Sequence, residues 1–190
     1  MVFLLLGFIS GFRAFSVGAD TPQYVHSFIW LSNSNGAKIL GIGDTLYEPG
    51  YVLLNLFLYK ISPNPRILIL VTSLFINFAY CYFIYRFCDD YFSAVIVYVF
   101  CCQYLINMDI TRQAISTSII LLSFPLLFKK NKIYFVFAVF IASMFHYFSL
   151  LYLLFIPASY LSKEKFEENK KEIISLFLII VLPIYLFIYS

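Results

Sequence analysis

The run from Pro65 to Phe87 carries charge only near its ends, at Arg66 and Arg86, and everything between is apolar or uncharged. A run of this kind supplies the ~20 residues a helix needs to cross hydrocarbon. There the backbone must satisfy its own hydrogen bonds within one segment, so Pro65 to Phe87 reads as a transmembrane helix. The rest of the chain agrees with it. Hydrophobic residues make up 62% and charged residues 12%, against roughly 25% charged in a soluble domain. The expected fold is all-α, a polytopic transmembrane helix bundle with a single transmembrane domain over residues 1–190. Cytosolic enzymes, disulfide-stapled secreted domains and disordered tails are excluded on composition. A net charge of +3 is too small for a nucleic-acid partner, which would need a dense basic stripe. Of Cys81, Cys88, Cys101 and Cys102, three lie in apolar runs, and packing is their expected role. No cysteine or histidine set has zinc-ligand spacing, so neither metal nor cofactor is expected.

Other segments are shorter or longer than one span. Val2 to Phe12 is apolar but too short to cross alone, and lacks the charged flank and cleavage site of a signal peptide; it reads as the end of a clipped helix. Residues 13–50 form a long polar stretch with turn-rich pieces at Ser32 to Gly36 and Gly41 to Asp44. Within it, Asp20-Thr21-Pro22 followed by Tyr24, Val25, Phe28, Ile29 and Trp30 reads as an amphipathic helix in the membrane interface, with Thr21 as N-cap. Glu48-Pro49-Gly50 opens a second, half-inserted helix from Tyr51 to Ile61. Tyr91 to Ile106 and Ala114 to Phe128 are further span candidates. Ile133 to Leu161 exceeds one ordinary span, and is either one tilted helix or a pair broken near His146 or Pro157. Ile173 to Tyr189 spans again. Lys129, Lys130 and Lys132 mark the cytoplasmic side. Counting back from them puts the Asp109–Arg112 loop outside, Arg86 to Asp90 inside and the 13–50 loop outside, while the segment Lys163 to Glu172 fits either side.

Function has to come from polar residues near the membrane, where charge is costly to place. Four places qualify: Arg13 with Asp20 and Tyr24; Tyr47-Glu48-Pro49-Gly50-Tyr51; Asp109 with Arg112 and Gln113, which share a face if the turn is helical; and Phe145-His146-Tyr147. Each has a plainer reading. Arg13 could snorkel to headgroups, Asp20 and Glu48 could answer helix dipoles, Asp109 and Arg112 could form a helix-end ion pair, and His146 could be a hydrogen-bonded structural residue. On this topology the first three open to the outer face, and His146 joins them if its helix breaks there; such convergence favours a polar cavity over independent causes.

The order Gly11-Phe12-Arg13, Val17-Gly18-Ala19-Asp20 with Tyr24, Glu48-Pro49-Gly50-Tyr51, Thr111-Arg112-Gln113-Ala114, and Ala142-Ser143-Met144-Phe145-His146 with Ser149 resembles the EpsG family of Wzy-like exopolysaccharide, capsule and O-antigen polymerases. Each motif is short, and their joint order from Arg13 to Ser149 carries the resemblance. The resemblance implies a GT-C-like architecture in the bacterial inner membrane, multi-pass, with more helices than this chain holds, so that a fragment truncated at both ends is expected. It implies polymerisation of undecaprenyl diphosphate-linked oligosaccharide repeat units without nucleotide sugar, alongside other polysaccharide assembly proteins; no Asp-x-Asp or His/carboxylate cluster suggests a metal, so the transfer is expected to be metal-independent. In that reaction Arg13 and Arg112 would stabilise the diphosphate leaving group. Asp20, Glu48 or His146 would act as base or orienting group, and Tyr24, Tyr51, Gln113 and Tyr147 would contact substrate. Competing expectations are a flippase of lipid-linked glycans, with polar residues spread across membrane depth, a membrane acyltransferase using His146 as base, and a non-catalytic assembly subunit.

Overall fold

The computed structural model of the chain describes residues 1–33, 47–128 and 132–159. The expected span Ile173 to Tyr189, the charged segment Lys163 to Glu172, the turn at Gly41 to Asp44, and Lys129 and Lys130 lie outside the described residues. Every regular element among those described is helical. Residues Met1–Leu153 form one compact unit, and Leu154–Ser190 a second; the described part of the second contains the short helix Phe155–Ala158.

Helix α1 spans Val2–Gly11, α2 Thr21–Asn33, α3 Pro49–Ile61 and α4 Arg66–Phe87. The first of these lies antiparallel along the last. Phe3 meets Phe78 edge-on at 5.5 Å between ring centroids, then Gly7 faces Leu74 and Gly11 faces Leu70. A Cβ on Gly7 would stand 2.8 Å from Leu74 Cδ2 and one on Gly11 2.7 Å from Leu70 Cδ1. In lipid, where apolar burial gives no net drive between helices, small residues four apart permit the close backbone approach that van der Waals packing needs. Length marks Val2 to Phe12 only as a short apolar run; the glycine spacing is what seats it.

After α4, Asp90 caps α5 (Tyr91–Phe100) by accepting from the N–H groups of Phe92 and Ser93. The expected continuous span from Tyr91 is broken: α5 ends at Cys101 and α6 (Gln103–Asp109) leaves at 50°. Cys102 occupies the left-handed region at φ 64, which ends one helix and starts the next. The bend carries Gln103 and Asn107 inward, where they hydrogen-bond Tyr80 Oη and Tyr98 Oη. Asn77 accepts from Tyr98 and donates to Ser10, while Tyr104 Oη donates to the Leu6 carbonyl. A cavity of about 10 Å³, lined by Ser10, Ser73, Asn77, Tyr104 and Asn107 among others, adjoins this network. Only Cys81 of the four cysteines is buried; Cys88, Cys101 and Cys102 are exposed, so packing accounts for one of them.

Helix α7 (Thr111–Ser123) runs parallel to α4: Ile76 packs with Ala114 and Ile115 at one level, and Phe83 and Phe87 reach Phe124 at another. It tightens into a 3₁₀ turn over Phe124–Phe128, where Pro125 lacks an N–H for the ladder. Helix α8 (Ile133–Ser143) buries Phe135, Val139 and Ala142, a three-to-four spacing that makes one face, and packs against α7. The chain breaks at Met144 to His146 and resumes as a 3₁₀ helix over Tyr147–Leu154. This is the broken form of the long segment, with its break at His146. Helices α2 and α3 pack on one another and against Leu68 near the start of α4, through Tyr24, Phe28, Tyr51 and Leu58. The Asp20 carbonyl accepts the first helical bond of α2, from Tyr24 N–H, so the cap falls one residue before Thr21, whose hydroxyl is engaged elsewhere.

Among the described residues, α4 and the segment Thr111–Phe128 are long and apolar enough to cross a membrane, and the bent pair α5 and α6 makes a third span if counted together. Large apolar side chains stay exposed along them, Tyr85, Phe92, Phe100 and Phe128 included, a surface that water-soluble monomers rarely present.

Candidate functional site

Three chain breaks meet at one end of the bundle: the entry to α3, the start of α7 and the turn after α8. Glu48 caps α3 with extended backbone, and Pro49 takes the first helical position, where a missing N–H costs nothing. Its side chain is 7% exposed and accepts from Arg112 Nη1 at 2.5 Å through Oε2. The other oxygen, Oε1, lies 3.5 Å from His146 Nδ1. A carboxylate thus stands between a guanidinium and an imidazole brought from three helices. Burial by itself would push the Glu48 carboxyl up. Hydrogen bonds from His146 and from its own backbone N–H, with the Arg112 charge, outweigh burial and hold it below its ordinary value.

Tyrosines wall this cluster. The Arg112 guanidinium carbon sits 5.1 Å from the Tyr47 ring centroid and 6.0 Å from that of Tyr51, a cation–π arrangement suited to arginine. Tyr51 in turn packs on Tyr24 and Tyr47. Tyr24 Oη donates to Asp20 Oδ2 at 3.5 Å. Burial, reinforced by the Asp20 charge, raises Tyr24 to about 12, so it remains a hydroxyl at neutral pH. Arg112 Nε is buried and donates to no group among the described residues. An unmet buried donor costs free energy, and an entering acceptor would recover it.

The structure therefore brings Asp20, Tyr24, Glu48, Tyr51, Arg112 and His146 together. Arg13 stands apart from them. Its Nε donates to the Val17 carbonyl, Nη1 to the Ser10 carbonyl and Ser73 Oγ, and Nη2 to Thr21 Oγ1 and the Met108 carbonyl. These contacts hold the α1–α2 connection against α4 and α6, and they occupy all three guanidinium nitrogens. Asp109 does not share a face with Arg112 and Gln113, because the chain turns at Ile110, ψ 53, between α6 and α7. Asp109 instead accepts from the Ala19 N–H at 2.9 Å, and the Asp109–Arg112 ion pair does not form. Gln113 hydrogen-bonds none of the described cluster residues. Tyr147 is exposed at the start of its 3₁₀ helix. Tyr47, which the motif leaves without a role, supplies the aromatic face nearest Arg112; its only sequence signal is its place beside Glu48.

Among the described residues, no group of three His, Cys, Asp or Glu side chains is placed to hold a metal ion. The architecture and its polar end define a helical membrane protein of polysaccharide biosynthesis when taken with the family match. The chain belongs to the EpsG family, whose model matches residues 1–190. A comparison with curated proteins finds no match, and a comparison with solved structures finds none.

Proposed function

We propose that the protein polymerises oligosaccharide repeat units carried on undecaprenyl diphosphate, at the outer face of the bacterial inner membrane, as a glycosyltransferase with a bundle resembling the GT-C type. The observation that carries this reading is the state of the two arginines. Arg13 is consumed by protein acceptors, whereas Arg112 Nε has no partner among the described residues and the side chain is 27% exposed beside a carboxylate and an imidazole. A planar, permanently charged fork suits the diphosphate that leaves.

In the proposed transfer the acceptor hydroxyl oxygen attacks the anomeric carbon of the growing glycan, and the bond from that carbon to the diphosphate breaks. The electron pair goes to the diphosphate oxygen, whose developing charge Arg112 stabilises. The hydroxyl proton passes to His146, which Glu48 orients through Nδ1 as a carboxylate orients the base of a catalytic triad. Asp20 and Tyr24 hold the acceptor sugar. The polar residues deeper in the bundle, Asn77, Tyr98, Gln103 and Asn107, are neutral and bonded to one another, which favours transfer at one end over a flippase path across the membrane.

The test is a glycan gel from cells that make the polysaccharide. Arg112→Ala and Asp20→Ala are expected to abolish long chains while single repeat units accumulate on lipid. Polymer of normal length from either variant would remove that residue from the mechanism. Lipid-linked units trapped on the inner leaflet would instead make the protein a flippase.

A further inference from the structure

Gly50 is buried in the first turn of α3, and its N–H donates to the Met144 carbonyl at 2.8 Å. Met144 is the C-cap of α8, so a donor left over at one helix start is satisfied by an acceptor left over at another helix end. The bond joins two segments whose side chains meet in the site. Glu48 stands two residues before Gly50, and His146 two residues after Met144. The approach excludes any side chain at residue 50. A Cβ there would lie 2.7 Å from the Met144 carbonyl oxygen, 2.9 Å from its Cβ and 3.0 Å from its carbonyl carbon. Two of those atoms are backbone and cannot swing aside as the tip of a leucine can. On the other side, the His146 carbonyl accepts from Ser149 Oγ at 2.6 Å and from Ser149 N–H at 3.1 Å. The imidazole thus rises from a turn fixed at both ends.

We infer that Gly50 is a positioning residue: its N–H and its missing side chain lock the α3 entry to the α8 exit and thereby set the distance between the Glu48 carboxylate and the His146 imidazole. This rests on the reading of Glu48, Arg112 and His146 as the reacting centre. At 3.5 Å the pair is at the limit of hydrogen-bond reach, so displacing Met144 to admit a methyl group uncouples it. Gly50 touches no substrate and acts through these two side chains. Gly7 and Gly11 also admit close packing, but they face Leu74 and Leu70 of α4 and not the turn that carries His146.

The experiment compares Gly50→Ala, His146→Gln and the double variant in the intact protein. Polymer is normalised to folded protein in the membrane, and amide hydrogen exchange is followed over residues 48–51 and 144–147. Gly50→Ala is expected to lower polymer at least about tenfold, as misplacement of a reacting group does. Exchange should rise in both segments, and the double variant should be no weaker than His146→Gln alone. Ser149→Ala, which removes one hydroxyl, is expected to give a several-fold loss that is likewise absent in the His146→Gln background, and it reports on the lock if Gly50→Ala fails to fold. Losses that add, or unchanged exchange in Gly50→Ala, would overturn the lock. Altered exchange with no polymer from the wild-type chain would overturn the polymerase reading and keep the lock.

Discussion

Arg112 donates to Glu48 through Nη1 at 2.5 Å, and this contact binds the first turn of α7 to the residue that caps α3. Truncating Arg112 to alanine leaves the Glu48 carboxylate buried without its guanidinium, held by His146 and its own backbone N–H. Breaking a fully buried pair costs about 3–5 kcal/mol; with the Arg112 side chain 27% exposed, we expect about 2–3 kcal/mol by the same reasoning. The thermal midpoint in detergent should fall for Arg112→Ala, and the pair Arg112→Met with Glu48→Gln should recover most of it without recovering polymer. Equal midpoints for the single and paired variants would show that the contact is not coupled.

Arg13 predicts a different phenotype. Removing a guanidinium that donates to five acceptors should lower folded protein, since hydrogen bonds from a charged group are worth about 1.5–3 kcal/mol each. Arg13→Lys keeps the charge but not the planar fork, and should be intermediate. Polymer made by either variant should track the amount of folded protein. A loss of polymer well beyond the loss of folded protein would return Arg13 to the reacting centre.

Much of this was legible in the sequence because lipid makes polar residues conspicuous. His146 stands out inside an apolar run, Glu48 and Arg112 stand where polar stretches give way to apolar ones, and Pro65 and Pro49 mark where α4 and α3 begin. What could not be read depends on contacts between residues far apart in the chain. Arg13 and Arg112 are the same residue type at the same end of the bundle, and only the partners brought by folding, Ser73, Thr21 and Met108 for one and Glu48 for the other, separate a structural clamp from a guanidinium with one nitrogen still to satisfy. The left-handed turn at Cys102 and the chain turn at Ile110 have no glycine to announce them, so α5 and α6 read as one span and Asp109 as a partner of Arg112. The role of Tyr47 appears only when its ring meets the guanidinium.

The contact of Gly11 with α4 gives a third test. A methyl group there would meet Leu70 at 2.7 Å from Cδ1 and 3.1 Å from Cα. Overpacking of this kind costs about 1–3 kcal/mol. Gly11→Ala should lower the thermal midpoint, and Gly11→Leu should dislodge α1, measured as labelling of a cysteine placed at the buried Ser10. A Gly11→Leu variant with Ser10 still protected would refute this packing.

The Glu48 carboxyl, held below its ordinary 4.5, predicts a pH dependence with a definite sign. A depressed carboxylate contributes stability in full above its unfolded value, and that contribution disappears as pH falls through the folded value. Thermal midpoints of the wild type and Glu48→Gln should differ at neutral pH and converge below pH 4.5. A gap that stays constant into acid would show that Glu48 gains nothing from Arg112 and His146 on folding.

The hydrogen bonds from Asn77 to Ser10, from Arg13 to Ser73 and from Tyr104 to the Leu6 carbonyl act together on α1 and the residues just after it as a key acts in a lock. Apolar faces in lipid tolerate sliding, because one greasy register is nearly as good as the next. Directional bonds do not, and a slip of one turn, ~5.4 Å, would break all three. The depth of Arg13 in the bundle is therefore fixed by its neighbours on α4 and α6, independently of how thick the surrounding bilayer happens to be.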